Sequence, residues 1–179
     1  MKDVERLLAP FAAQLGDDRR AYTNHVVRVL GYCDALHLHY GGIAAETPST
    51  KAEFVIAGVF HDLGIWTAGT FDYLAPSIDL ARDHLAEHAR TDLEPVVVAM
   101  IDLHHKVRVA GERLDPVELF RRADTIDASK GLRRFGLPRR DYRRIAGQYP
   151  NAGFHRALVR LGANRIRRHP TSPFPMLRW

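Results

Sequence analysis

In Phe54-Val55-Ile56-Ala57-Gly58-Val59-Phe60-His61-Asp62-Leu63-Gly64 an apolar run closes on a histidine and an aspartate. The apolar run suits a buried helix, opened by Pro48-Ser49-Thr50 and stopped by Gly64. It ends on two adjacent side chains of metal-ligand type, His61 and Asp62. A buried carboxylate without a partner is costly, so Asp62 demands a metal ion, an arginine or a helix cap.

Working outward, a period near 3.6 dominates the chain. Val4, Leu7, Leu8, Phe11 and Leu15 form one amphipathic stripe. Asp17-Asp18 predict an N-cap and an acidic first turn for a second helix, which runs to about His39 and ends at Gly41-Gly42. Its inward stripe reads Tyr22, His25 or Val26, Val29, Cys33 and Leu36. After Gly64 a non-helical stretch is expected from Ile65 to Pro76, followed by helices over roughly 77–90 and 92–104 and a loop from Val107 to Leu114. Asp115-Pro116, an N-cap followed by proline, starts the next helix, which ends near Lys130-Gly131. Two more segments are expected at roughly 138–147 and 152–168. No alternating β-pattern, internal repeat or low-complexity segment is present. The expectation is an all-α, bundle-like domain of six to eight helices over residues 1–168, with an extended tail over 169–179.

The 179 residues suffice for one domain with a sizeable core. No apolar run approaches the roughly 20 residues of a membrane span. Met1-Lys2-Asp3-Val4-Glu5 has no signal-peptide architecture, so a cytoplasmic protein is expected. The single cysteine, Cys33, excludes an intrachain disulfide and a multi-cysteine zinc site. The net charge of +5 divides into −6 over residues 1–107 and +11 over 108–179. That basic part reads either as an attractor of phosphates or as an arginine-rich solvated surface. Its series Arg133-Arg134, Arg139-Arg140, Arg143-Arg144, Arg165 and Arg167-Arg168 has few interleaved aromatics, which makes it a weak nucleic-acid signal.

Each candidate ligand lies where its own helix faces inward. His61 follows Phe54 and Ala57; Asp124 follows Val117 and Phe120; His104 follows Val97, Met100 and Ile101; His84 follows Ile78 and Ala81. With His25, these residues come from several helices, a recurring way to build a two-metal site in a bundle. A lone histidine on an apolar face is more often a hydrogen-bonded core residue, but several inward polar groups in one small core are hard to satisfy without an ion. One or two divalent ions of Fe, Mn, Ni, Zn or Mg suit such a set. Helical phase does not separate His104 from His105, and His88 is an alternative to His84. Asp127, one turn after Asp124, is either a support behind the ligands or a plain helix-end carboxylate.

The order His25…His61-Asp62…Asp124 resembles the HD superfamily of metal-dependent phosphohydrolases, over about residues 18–130. The cues are His61-Asp62-Leu63-Gly64 and Ala123-Asp124-Thr125-Ile126-Asp127-Ala128. His84-Leu85-Ala86-Glu87-His88-Ala89 and the doublet His104-His105 are similar to the subset that holds two metals. The resemblance implies that His25, His61, Asp62 and Asp124 hold one ion. Asp62 would bridge to a second ion completed by His84 and His104, with a hydroxide between the ions as nucleophile. Many relatives place a lysine after the His-Asp-x-Gly element, where this chain has Ile65 and Trp66. The Gly-Tyr-Pro signature of the cyclic-dinucleotide branch is replaced by Lys106-Val107-Arg108-Val109-Ala110-Gly111.

Lys106 and Arg108 therefore either replace that lysine as anion binders, Lys106 as a catalytic cation beside Asp62, or decorate a solvated loop. Trp66, Phe71 and Tyr73 either cap the core or line a pocket for an organic substrate, with His105 and Arg108 at its rim. The leading expectation is a hydrolase of phosphate esters acting on a small molecule such as a nucleotide. A diiron oxygenase that cleaves an organic substrate with O₂ shares the ligand set, and a non-catalytic, metal-stabilised binding module is the third reading.

Overall fold

The computed structural model describes residues 1–70 and 72–168. The expected tail over 169–179 and Phe71 lie outside the described residues. Ten α-helical segments follow one another: α1 Lys2–Leu8, α2 Ala12–Leu15, α3 Arg19–His39, α4 Ala52–Phe60, α5 Gly64–Thr67, α6 Leu74–Glu87, α7 Glu94–Leu103, α8 Pro116–Ala128, α9 Arg139–Gln148 and α10 Phe154–Arg168. Among the described residues there is no β-strand, and the fold is all-α. None of the helices is long and apolar enough to cross a membrane.

The 21-residue α3 is the central element. Its Val26, Val29, Cys33 and Leu36 are all fully buried, at helical spacing. Burying one such side chain contributes about 1.5–3 kcal/mol. The helix packs chiefly on α8 and also on α1, α4 and α9; α4 packs on α7 and α6, and α7 on α8. Gly41, at φ +89°, supplies the left-handed residue that turns the chain out of α3.

Several local expectations meet a physical correction. The first stripe is not one helix: Pro10 stands in a short 3-10 turn, Ala9–Phe11, that separates α1 from α2. Proline has no N–H to continue the helix ladder. Asp18 occupies the N-cap position of α3 without a side-chain cap bond. Its Oδ2 instead accepts from Trp66 Nε1 at 3.1 Å and Arg160 Nη2 at 2.8 Å. Gly64 does not stop helical structure; it begins α5, inside the stretch expected to be non-helical. Its requirement is space, since a Cβ there would lie 2.5 Å from the Tyr73 carbonyl oxygen. The next helix accordingly starts at Leu74 rather than Ser77.

Asp115 caps α8 as its sequence context predicts, accepting from Val117 N at 2.8 Å and Glu118 N at 3.3 Å. Glu118 is itself fully buried. It accepts from Arg121 at 2.8 Å, Arg122 at 2.6 Å and the Ala110 N–H at 2.9 Å. Arg121 also donates to the Lys106 carbonyl at 3.1 Å, so this ion cluster pins the 106–110 loop onto α8. Burial pushes the Glu118 carboxyl up, but Arg121, the Ala110 N–H and Arg122 outweigh it and hold it at about 2.

The folded-state pKa of Glu118 lies below its unfolded value of about 4.3. Its stabilising effect is therefore complete above that unfolded value and is lost as pH falls towards about 2. Urea unfolding of the protein and of Glu118→Gln should show a gap near pH 7 that narrows between pH ~4 and ~2. A gap that stays constant through this range would show that the ion cluster is not its source. Glu118→Ala, which strands the buried Arg121, should cost about 3–5 kcal/mol at neutral pH.

Candidate metal centre

Five groups from four parts of the chain meet where α3, α4, α7 and α8 come together. His25 comes from α3, His61 and Asp62 from the turn after α4, His104 from the end of α7, and Asp124 from α8. All five are buried, with residue exposures of 0–4%.

The three imidazoles are held in one tautomer by what their Nδ1 atoms face. His61 Nδ1 lies 2.8 Å from the Gly58 carbonyl and His104 Nδ1 lies 2.6 Å from the Ile101 carbonyl. His25 Nδ1 lies 2.7 Å from Asp127 Oδ2. All three partners are acceptors, so each Nδ1 carries a hydrogen and each Nε2 is the nitrogen turned to the centre. The Nε2 atoms of His25 and His61 are only 3.0 Å apart. At that distance two facing lone pairs repel, so a proton or another cation belongs between them.

The carboxylates surround the same point. Asp62 Oδ2 is 3.7 Å from His25 Nε2 and 3.5 Å from His61 Nε2, and Asp124 Oδ1 is 3.7 Å from each. The other Asp62 oxygen, Oδ1, faces His104 Nε2 at 3.4 Å. That oxygen is buried. Ligands about 2.0–2.1 Å from a shared ion sit roughly 3.0–3.4 Å from one another, close to the spacing seen here. His25, His61 and Asp62 form one group able to hold an ion; Asp62, His104 and His105 form a second that shares Asp62. The donor set therefore fits a divalent cation, and imidazole with carboxylate suits the middle first-row metals.

Charge leads to the same place. Burial pushes the Asp62 carboxyl up, but His61, His104 and His25 outweigh it and hold it well below the usual range. Burial pushes the His61 imidazolium down, yet Asp62 and Asp124 raise it to about 9. Both directions express one demand, positive charge between two ionised carboxylates. A metal ion answers it as a proton does.

His84, expected to complete a second ion, is not brought to this cluster. The inward stripe of α6 is Leu74, Ser77, Ala81 and Leu85, which leaves His84 half-buried beside it. Its ring lies 5.3 Å from Phe60 and 4.2 Å from His88, in a depression bordered by Arg6, Leu7 and Phe11. The alternative, His88, is exposed on the same face. Tyr73 and His105 stand beside the cluster instead. Burial and then Asp62 push the Tyr73 phenol well above its usual range, so it stays protonated. Its hydroxyl is hydrogen-bonded to His105 Nε2 at 2.7 Å. His105 Nδ1 is 3.9 Å from Asp124 Oδ2.

Trp66 is half-buried with its ring 4.8 Å from Tyr22 and its N–H bound to Asp18. Lys106 is half-buried and Arg108 exposed on the loop after His105. Two contributors escaped the sequence reading. Phe154, at the start of α10, stacks on His25 at 4.0 Å and 11°. Tyr22 lies 6.1 Å from the same ring and 6.5 Å from Phe154, its hydroxyl donating to the Val59 carbonyl at 2.8 Å. Phe154 is too distant in sequence for periodicity to find; Tyr22 was noted only as an inward residue of α3.

Chelator-stripped protein should gain thermal stability on addition of Mn²⁺ or Co²⁺, because the ion binds only the folded cluster. His84→Ala should respond as the unaltered protein does, whereas His61→Ala should not. Loss of the response in a folded His84→Ala variant would contradict this arrangement of ligands.

Compared with protein-family models, with curated proteins and with solved structures, this chain matches none, so what the centre can do rests on its own donors.

Proposed function

We propose that this chain is a metal-dependent hydrolase of phosphate esters acting on a small molecule. The observation that carries the reading is the Asp62 carboxylate. One oxygen faces His25 and His61, and the other faces His104. A group in that position can serve two cations at once. When bound, divalent ions lower the pKa of water and neutralise the oxygens of a phosphoryl group.

The chain's own residues fit the remaining requirements. The rings of His25, His61 and His104 are fixed by their Nδ1 partners with Nε2 turned to the centre, so no side-chain reorganisation is needed as charge develops. His105 has a side-chain exposure of 25%, against 0–6% for the other donors, and so marks the approach from solvent. Tyr73 fixes its ring. Lys106 and Arg108 follow on the same pinned loop, where they can attract an anionic substrate. A buried cluster approached past one imidazole suits a small substrate better than a polymer.

Loaded with Mn²⁺, the protein should hydrolyse a generic phosphomonoester or phosphodiester. Asp62→Ala should lower the rate on the order of a thousandfold or more, with the fold checked by circular dichroism. No hydrolysis with any divalent ion would overturn the proposal. Oxygen uptake by the iron-loaded protein with an organic substrate would then assign the same ligands to an oxygenase.

A further inference from the structure

His25 is held differently from its two partners. His61 and His104 donate to carbonyls three residues earlier in their own segments. His25 donates to a carboxylate on another helix, Asp127 Oδ2. Asp127 also accepts Arg28 Nε at 2.6 Å and Arg28 Nη2 at 2.7 Å. Arg28 Nη1 donates to the Tyr149 carbonyl at 3.0 Å and the Pro150 carbonyl at 3.2 Å. Arg28 is 2% exposed and Asp127 is 4% exposed.

We propose that Asp127, backed by Arg28, is a positioning residue that acts through His25 to set the metal affinity of the centre. The proposal rests on an ion being held by His25, His61 and Asp62, and not on the reaction that ion serves. The geometry is a pair of one-turn steps. His25 and Arg28 are three residues apart on α3, Asp124 and Asp127 three apart on α8. Neighbours at that spacing share a face. The pairs meet with His25 near Asp124 at 3.7 Å and Arg28 on Asp127, and the Asp127 bond to His25 joins the two layers.

A carboxylate behind a ligating imidazole fixes ring orientation and makes the other nitrogen a better donor. A hydrogen bond to an ionised group is roughly twice as strong as one to a neutral carbonyl. Arg28 gives the buried carboxylate its counter-charge in a two-pronged grip. Its hold on the Tyr149 and Pro150 carbonyls prevents that grip from swinging away. Phe154, four residues beyond Pro150, covers the face of the same imidazole. The turn between α9 and α10 is thus tied to one metal ligand by two routes.

The test is a double-mutant cycle read by Co²⁺ binding, with chelator-stripped protein titrated by calorimetry and by the visible Co²⁺ absorption. Asp127→Asn keeps the shape of the side chain and removes its charge. It should weaken Co²⁺ binding about tenfold to a hundredfold and alter the absorption band. In a His25→Ala background the same substitution should cause no further loss, because its route to the ion is gone. Arg28→Lys, which cannot grip both oxygens, should weaken binding in the same background-dependent way, and it replaces Asp127→Asn in the cycle if that variant does not fold. Unchanged Co²⁺ affinity in a folded variant, or an equal loss in both backgrounds, would overturn the positioning role. Failure of the unaltered protein to bind Co²⁺, Mn²⁺ or Fe²⁺ would overturn the metal centre itself, a result distinct from either.

Discussion

Three hydrogen bonds at imidazole Nδ1 atoms govern the centre of this protein. Gly58, Ile101 and Asp127 each accept one. Without them the rings could turn and donate to Asp62 and Asp124, and the cluster would satisfy itself as an ordinary buried network. With them every Nε2 lone pair is aimed at the place where the carboxylates also converge. The centre so arranged calls for positive charge, from a proton or from a bound cation.

The distribution of arginines gives the same reading from the opposite direction. Glu118 and Asp127 are as buried as Asp62 and Asp124, and each is gripped by arginine. Among the described residues no arginine or lysine forms an ion pair with Asp62 or Asp124, although α8 carries Arg121 and Arg122 close by. The chain has the means to neutralise carboxylates and does so on the same helix at Glu118, six residues before Asp124, and at Asp127, three residues after it. At the centre imidazoles, not arginines, face the carboxylates.

The charge excess of the later residues also acquires a structure. Arg121, Arg122 and Arg133 lie 5.2–5.5 Å from the ring centre of Phe135, and Arg122 donates to the Tyr40 hydroxyl. Part of that positive charge therefore packs the end of α8 against the end of α3 and holds the loop beside His105. Arg139, Arg140, Arg143 and Arg144 remain exposed on α9. The α9 helix stays docked through Ile145, which is buried.

The sequence by itself determined the helical class, the start of α8 at Asp115-Pro116 and the end of α3 at Gly41. Each is set by interactions within a few residues: apolar spacing, a side-chain cap, a left-handed turn. It also pointed to His25, His61, Asp62, Asp124 and the doublet His104-His105, as well as His84, because a ligand type among inward residues is visible in the sequence, while helical phase did not separate His104 from His105. The tertiary structure decided the rest. His84 lies beside the inward stripe of Ser77, Ala81 and Leu85, because the face α6 turns to the core is set by its packing on α7 and α4. Gly64 proved to be needed for clearance from Tyr73, a contact nine residues away that no local pattern encodes. Tyr73 and His105 took up positions beside the cluster, and Asp127 went to His25 and Arg28 rather than to solvent. These outcomes depend on which helix faces which across the core, and that is fixed by packing the whole chain at once, not by any one segment.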